Sequence, residues 1–191
     1  AGFKLALRDL EIRGSGNLLG QEQSGHINAI GFELYCQILR ATVARLKGEQ
    51  DLEFLPETDI AIEFVSYGHK APPGKIPICI PPEYISSERL RLEAYRQICS
   101  ASKHSEIDNV LNLLRDRYGR IPEETQDLAR LLKIKISVAR AGFKSLKVME
   151  SKILLENISG VFKQDGRIPR LPESKKPLET LFNIIQKFTT S

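Results

Sequence analysis

Long apolar runs are missing from this chain: none approaches the about twenty residues that a membrane-spanning helix needs, so no membrane partner is predicted. Paired metal ligands are missing too. There is no Cys-x-x-Cys or His-x-x-x-His, and His26, His69 and His104 stand far apart, which argues against zinc. Cysteine is scarce and odd in number. Cys36, Cys79 and Cys99 are too scattered for a disulfide framework, and Cys36 and Cys99 fall on apolar helical faces, where a thiol acts as a small hydrophobe. A reducing, cytoplasmic setting is therefore predicted. No Ser-His-Asp or Cys-His order stands out, and most carboxylates fall on polar helix faces, so no independent active site is expected. The chain opens at Ala1 inside a helical pattern, without an initiator Met or a cationic leader, which predicts an excised fragment.

What is present is ordinary for a globular protein in bulk and uneven in detail. Hydrophobic residues make up 41% and charged residues 27% of 191, enough for one good core with an appended element. The net charge of +4 conceals a gradient. Residues 130–191 carry thirteen Lys or Arg against five Asp or Glu, while the rest of the chain is slightly acidic. Such a tail could face nucleic acid, an acidic protein surface, or only solvent. Aromatic residues are thinly interleaved there, and most of them sit where a core would want them.

Along the chain, Phe32, Tyr35, Cys36, Leu39, Val43 and Leu46 mark an amphipathic helix stopped by Gly48. Residues 49–58 are acidic, contain Pro56 and read as a connector. Ile60 to Val65 is apolar and β-branched and predicts a strand, followed by a Gly/Pro loop at 68–74. Ile76 to Ile80 can add a short edge strand only, because Pro77 and Pro81 lack the donor for ladder pairing. Three helices follow. One runs from a Ser86 or Ser87 cap to about Ala101. The next carries capping-box spacing at Ser105 and Asp108 and stops at Gly119. In the third, Pro122 takes a first-turn position, Leu128, Leu131, Leu132 and Ile136 face a core, and Gly142 ends the helix. Residues 146–149, 152–155 and 161–163 read as short strands, with turns at 157–160 and 165–166. Pro177 opens a last helix striped by Leu178, Leu181, Phe182, Ile185 and Phe188. The predicted class is α+β, a helix-loop-helix appendage followed by a domain whose helices pack on one small sheet.

The N-terminal segment has the sharpest local pattern. Phe3, Ala6, Leu7 and Leu10 recur at helical spacing, and Gly14, Gly16 and Gly20 then break the helix into a tight loop. A phosphate cradle would need Lys-Ser/Thr after its last glycine and a strand before its first. Gln21 and Glu22 follow Gly20, and a helix precedes Gly14, so phosphate binding is not predicted. Arg13 and Gln23 frame the loop. They could work as a lever that reports a neighbour's movement. Equally, Arg13 could serve only the helix C-terminal carbonyls and Gln23 only face solvent.

The wording Asp9-Leu-Glu-Ile-Arg-Gly14, Asn17-Leu-Leu-Gly20 and Glu22-Gln-Ser-Gly25 resembles the TRG motif of bacterial double-stranded DNA translocases. Together with Gly31-Phe-Glu-Leu-Tyr35, Pro81-Pro-Glu-Tyr-Ile85 and Glu88 to Arg96, it is similar to the transcription-repair coupling family. That resemblance implies a fragment of a superfamily 2 helicase-like motor that displaces stalled RNA polymerase and recruits UvrA. ATP and Mg would belong to the parent motor, since this fragment shows no Walker A, Walker B or final arginine-rich helicase motif. Arg13, Gln23, Gly14, Gly16 and Gly20 would couple hydrolysis to translocation. The implied division is 1–48 for the translocation motif and its following helix, 49–58 for the connector, and 59–191 for a regulatory domain. That domain would pack on the parent's N-terminal repair module and hold the UvrA-binding surface closed. A free-standing basic module on nucleic acid is the competing reading.

Overall fold

Thr58 ties the start of the first strand to the end of the helical block: its buried hydroxyl donates to the Phe143 carbonyl at 3.0 Å, bridging 85 positions of sequence. The computed structural model describes residues 58–190 apart from His69. The first helix, the glycine loop, the second helix and the connector expected at 49–58, all but its last residue Thr58, lie outside the described residues.

From Thr58 the chain enters β1 (Asp59–Ile62), which pairs in parallel with β4 (Ser145–Met149). β4 pairs antiparallel with β5 (Lys152–Asn157), and β5 with the two-residue β6 (Gly160–Val161), giving the order β1-β4-β5-β6. Alternation sets the buried face: Leu146 and Val148 lie opposite Leu155 and Ile153 and are sealed, while Lys147, Met149 and Glu156 are exposed.

The strand expected at 60–65 is in fact two strands. A turn at Glu63–Phe64 ends β1 and redirects the chain into β2 (Val65–Tyr67), which pairs in parallel with β3 (Ile76–Ile78) as a separate two-stranded sheet. The one charged residue of the run, the exposed Glu63, stands at the break between Ile62 and Val65, which are both buried. The turn is held by long-range bonds: the Glu63 N–H donates to the Val148 carbonyl, the Glu150 N–H donates to the Glu63 carboxylate, and the Ile76 N–H donates to the Phe64 carbonyl. The helices thus accompany two small sheets, not one.

Helix α1 (Glu88–Cys99) starts at Ser87, whose hydroxyl accepts the Leu90 N–H, and buries Leu92, Tyr95, Ile98 and Cys99 as its spacing requires. Helix α2 (His104–Tyr118) does not use the Ser105–Asp108 box. Its cap position is Lys103, and the Glu106 carboxylate instead accepts from the backbone N–H and hydroxyl of Ser102. Gly119 ends α2, and the Tyr84 hydroxyl is shared between the Leu114 and Gly119 carbonyls there. Helix α3 (Glu123–Arg140) places Pro122 at the cap, one position before the expected first turn. Its far end closes through Gly142 at φ +86°, with the Gly142 N–H on the Ala139 carbonyl and the Phe143 N–H on the Val138 carbonyl. This paired closure needs the left-handed geometry that glycine adopts without a Cβ penalty. Helix α4 (Pro177–Thr189) has proline in its first turn, as expected, and buries Leu178, Leu181 and Ile185. Leu131, Ile134 and Val138 of α3, the α4 stripe and the inner faces of β4 and β5 belong to one continuous core. The architecture is α+β with four helices among the described residues.

Candidate functional site: the polar groups of the folded domain

The residues expected to couple a motor, Arg13, Gln23, Gly14, Gly16 and Gly20, lie outside the described residues. Within 58–190 the polar groups fall into a few sets, and their geometry decides what each can do.

The first set surrounds Cys79, which follows β3. Burial pushes its thiol pKa up to about 12, with Glu124 and Glu83 adding to the rise. At neutral pH it is a protonated, inert thiol. Its carbonyl accepts from the buried Thr125 hydroxyl, and its N–H reaches the Glu124 carbonyl, tying the small sheet to the start of α3. Next to it the Ile80 N–H donates to the Tyr95 hydroxyl at 2.7 Å, and burial raises the Tyr95 pKa. The Arg91 guanidinium, 4% exposed, donates to the Ile85 carbonyl at 2.8 Å. These groups satisfy backbone atoms that the proline-rich turn at 81–82 leaves outside any ladder.

The second set is one that sequence order did not reveal. Ser137 Oγ of α3 lies 2.9 Å from His104 Nε2 of α2, the separation of a nucleophile and its base. The surroundings assign it another role. The same Nε2 lies 3.0 Å from the Lys133 carbonyl, which can only accept, so Nε2 carries the hydrogen and cannot take a proton from serine. Gln186 of α4 donates to Ser137 Oγ at 2.7 Å, and the Phe182 ring stands 5.9 Å from the imidazole. Burial lowers the His104 pKa, which favours the neutral ring. This is a polar joint between three helices. No local spacing could announce it, because its members come from positions 104, 137 and 186.

The third set is the basic excess of residues 130–191, part of which is consumed internally. Arg130 contacts Glu123 and Asp127 at 2.8 Å each, and burial nevertheless raises the Asp127 pKa against that pairing. Lys133 Nζ reaches Asp108 at 2.6 Å, Arg140 donates twice to the Ser102 carbonyl, and Lys135 is buried at 1% exposure. The exposed cations of this stretch include Lys144, Lys147 and Lys187, and a further group, Lys163, Arg167 and Arg170, lies in the segment after β6. Among the described residues no group of His, Cys, Asp or Glu is arranged to hold a metal, and no helix is long and apolar enough to cross a membrane.

With α2, α3 and the two small sheets in place, comparison with known proteins defines the class first. Residues 75–164, from the start of β3 to just beyond β6, match the TRCF domain family. Over longer spans the chain is similar to transcription-repair-coupling factors: 36% identical to that of Mycobacterium tuberculosis over 150 residues, 39% to that of Haemophilus influenzae over 140, and 32% to that of Staphylococcus epidermidis over 180. These alignments cover 74%, 72% and 89% of this chain. The chain belongs to the transcription-repair-coupling-factor family. It spans 11–14% of the length of those relatives. A solved structure of the C-terminal domain of a transcription-repair coupling factor shares the fold at a TM-score of 0.51 and 13% identity, over 70% of this chain and 94% of that one. Residues 75–164 therefore fall in the TRCF domain family, and the described part shares the fold of a transcription-repair coupling factor's C-terminal domain.

Proposed function

We propose that this chain is the C-terminal portion of an ATP-dependent double-stranded DNA translocase that couples transcription to nucleotide excision repair. The observation that carries the reading is the similarity to transcription-repair-coupling factors over 72–89% of the chain. In this reading residues 1–48 form the translocation motif. Arg13 and Gln23 transmit nucleotide-driven closure, and Gly14, Gly16 and Gly20 shape the loop that holds them. Residues 49–58 connect this element to the regulatory domain at 59–191. ATP and Mg act in the parent motor, and RNA polymerase, double-stranded DNA and UvrA meet the parent protein in the cytoplasm.

The domain at 59–191 acts as an autoinhibitory element that covers the UvrA-binding surface of the N-terminal repair module. An intramolecular clamp of this kind is a two-state equilibrium, and it opens only when a ligand binds the open form better. The inertness of Cys79, the structural role of the His104–Ser137 joint and the single continuous core support an interaction module over a second enzyme. Deleting residues 59–191 from the full-length protein tests the reading. UvrA affinity should rise by about tenfold or more, the effect of removing a closed state favoured by at least 1.4 kcal/mol. Unchanged UvrA affinity would remove the masking role.

A further inference from the structure

The segment after β6 doubles back on the sheet and builds a basic cleft. Asp165 and Gly166, both at positive φ, form a two-residue turn that is closed by reciprocal bonds between Gln164 and Arg167 at 2.8 and 2.9 Å. The chain then runs antiparallel to the start of β5. Lys152 is bridged to Arg170, the Ile153 N–H donates to the Pro169 carbonyl, and the Leu171 N–H donates to the Ser151 carbonyl. Between these arms lies a cleft of about 550 Å³ lined by Lys152, Lys163, Gly166, Arg167, Ile168 and Arg170.

Four of the six lining residues are cations, and none forms an ion pair among the described residues. Arg170 donates to the neutral Ser151 hydroxyl. Asp165, at the hairpin tip, does not line the cleft. Four like charges on a backbone-bonded frame repel one another, and a concave wall focuses their field on whatever anion enters. We infer that this cleft binds the phosphodiester backbone of nucleic acid, independently of its base sequence and of the masking role proposed above. Lining chemistry separates this from capture of an acidic peptide. Peptide docking is anchored by apolar or aromatic side chains in pockets, and Ile168 is the one apolar side chain here. Phosphate contacts need only Lys and Arg held in register, which the two hydrogen-bonded arms provide. No aromatic side chain lines the cleft to stack a base, so binding reads charge and not sequence.

The test uses the intact 191-residue chain and a short fluorescent DNA duplex, with anisotropy titrations over a series of salt concentrations. Each phosphate contact contributes about 0.9 to the slope of log affinity against log salt. Arg167→Ala with Arg170→Ala should weaken binding by about tenfold at low salt and flatten that slope by about 1.8. Lys144→Ala with Lys187→Ala removes the same charge at exposed positions outside the cleft, with Lys144 at the opposite end of β5, and should change binding less than about twofold. Lys163→Gln with Arg167→Gln keeps side-chain bulk and provides a second variant should the alanine pair unfold. Equal losses from the cleft and control pairs would assign binding to net charge and overturn the site. So would absence of DNA binding at low salt, or tighter binding to poly-glutamate than to the duplex. UvrA masking by the parent protein is read by a different partner, so either proposal can fail alone.

Discussion

His104 sits where α2, α3 and α4 meet, against Lys133, Ser137, Gln186 and Phe182, with Asp108 and Arg140 also acting on it electrostatically. Its pKa is lowered, first by burial and then by the nearby cationic groups, so the folded state binds a proton less readily than the unfolded chain. The sign follows directly. Stability contributed by the neutral ring is present above the unfolded value of about 6.5 and is lost as pH falls from there toward the lower folded value. The melting temperature should drop between about pH 7.5 and 5.5, a range chosen above most carboxylate titrations. His104→Gln should cost about 1 kcal/mol at the upper pH through the lost joint and flatten the pH dependence. Thermal melts of both proteins at the two pH values check this, and an unchanged slope in the variant would assign the effect to other groups. Tyr95 and Arg91 illustrate the same logic without titration: their polar ends are buried because backbone atoms at Ile80 and Ile85 need partners.

Elements with local punctuation were legible in advance, and elements defined by distant partners were not. Ser87, Gly119, Gly142 and Pro177 bound their helices as read, because caps and stops act within a few residues. The split of β1 from β2 depends on bonds to Val148 and Glu150, and its one local mark is Glu63, the single charged residue within 60–65. The position of the β4–β5 connection is legible as the gap between 146–149 and 152–155, but its turn type is not. Glu150 and Ser151 occupy left-handed conformations at φ +47° and +66°, the pattern of a tight hairpin that favours Asn-Gly, yet neither residue carries that signal. Glu150→Asn with Ser151→Gly should relieve backbone strain and stabilise the domain by about 1 kcal/mol. The N–H that donates to Glu63 is kept in this variant. Urea unfolding measures the gain, and a midpoint at or below that of the parent sequence would refute a strained turn.

At the scale of the whole molecule, the α+β class was readable from the order of periodic segments, whereas the polar assemblies were not. Lys152, Lys163, Arg167 and Arg170 look like a diffuse basic tail in sequence and become a cleft only once the chain folds back on β5. Conversely, the basic count overstated the exposed charge, since Arg130, Lys133 and Arg140 serve internal partners and Lys135 is buried. The coupling role proposed for Arg13 and Gln23 is tested in the parent protein. If they transmit closure, Arg13→Ala or Gln23→Ala should leave ATP hydrolysis within about twofold while displacement of RNA polymerase falls by about tenfold or more. Parallel loss of both rates would place the residues in the hydrolytic machinery instead.

The parallel register of β1 on β4 sets a timetable for biosynthesis. Asp59 and its neighbours leave the ribosome well before the strand they match, which is not translated until α1, α2 and α3 have been made. During that interval the nascent chain can assemble helices from near neighbours, while the opening strand waits with its ladder donors and acceptors facing water. Closure of the sheet is thus a late event in synthesis, and a chaperone that shields extended segments would have its window between the emergence of Thr58 and that of Met149.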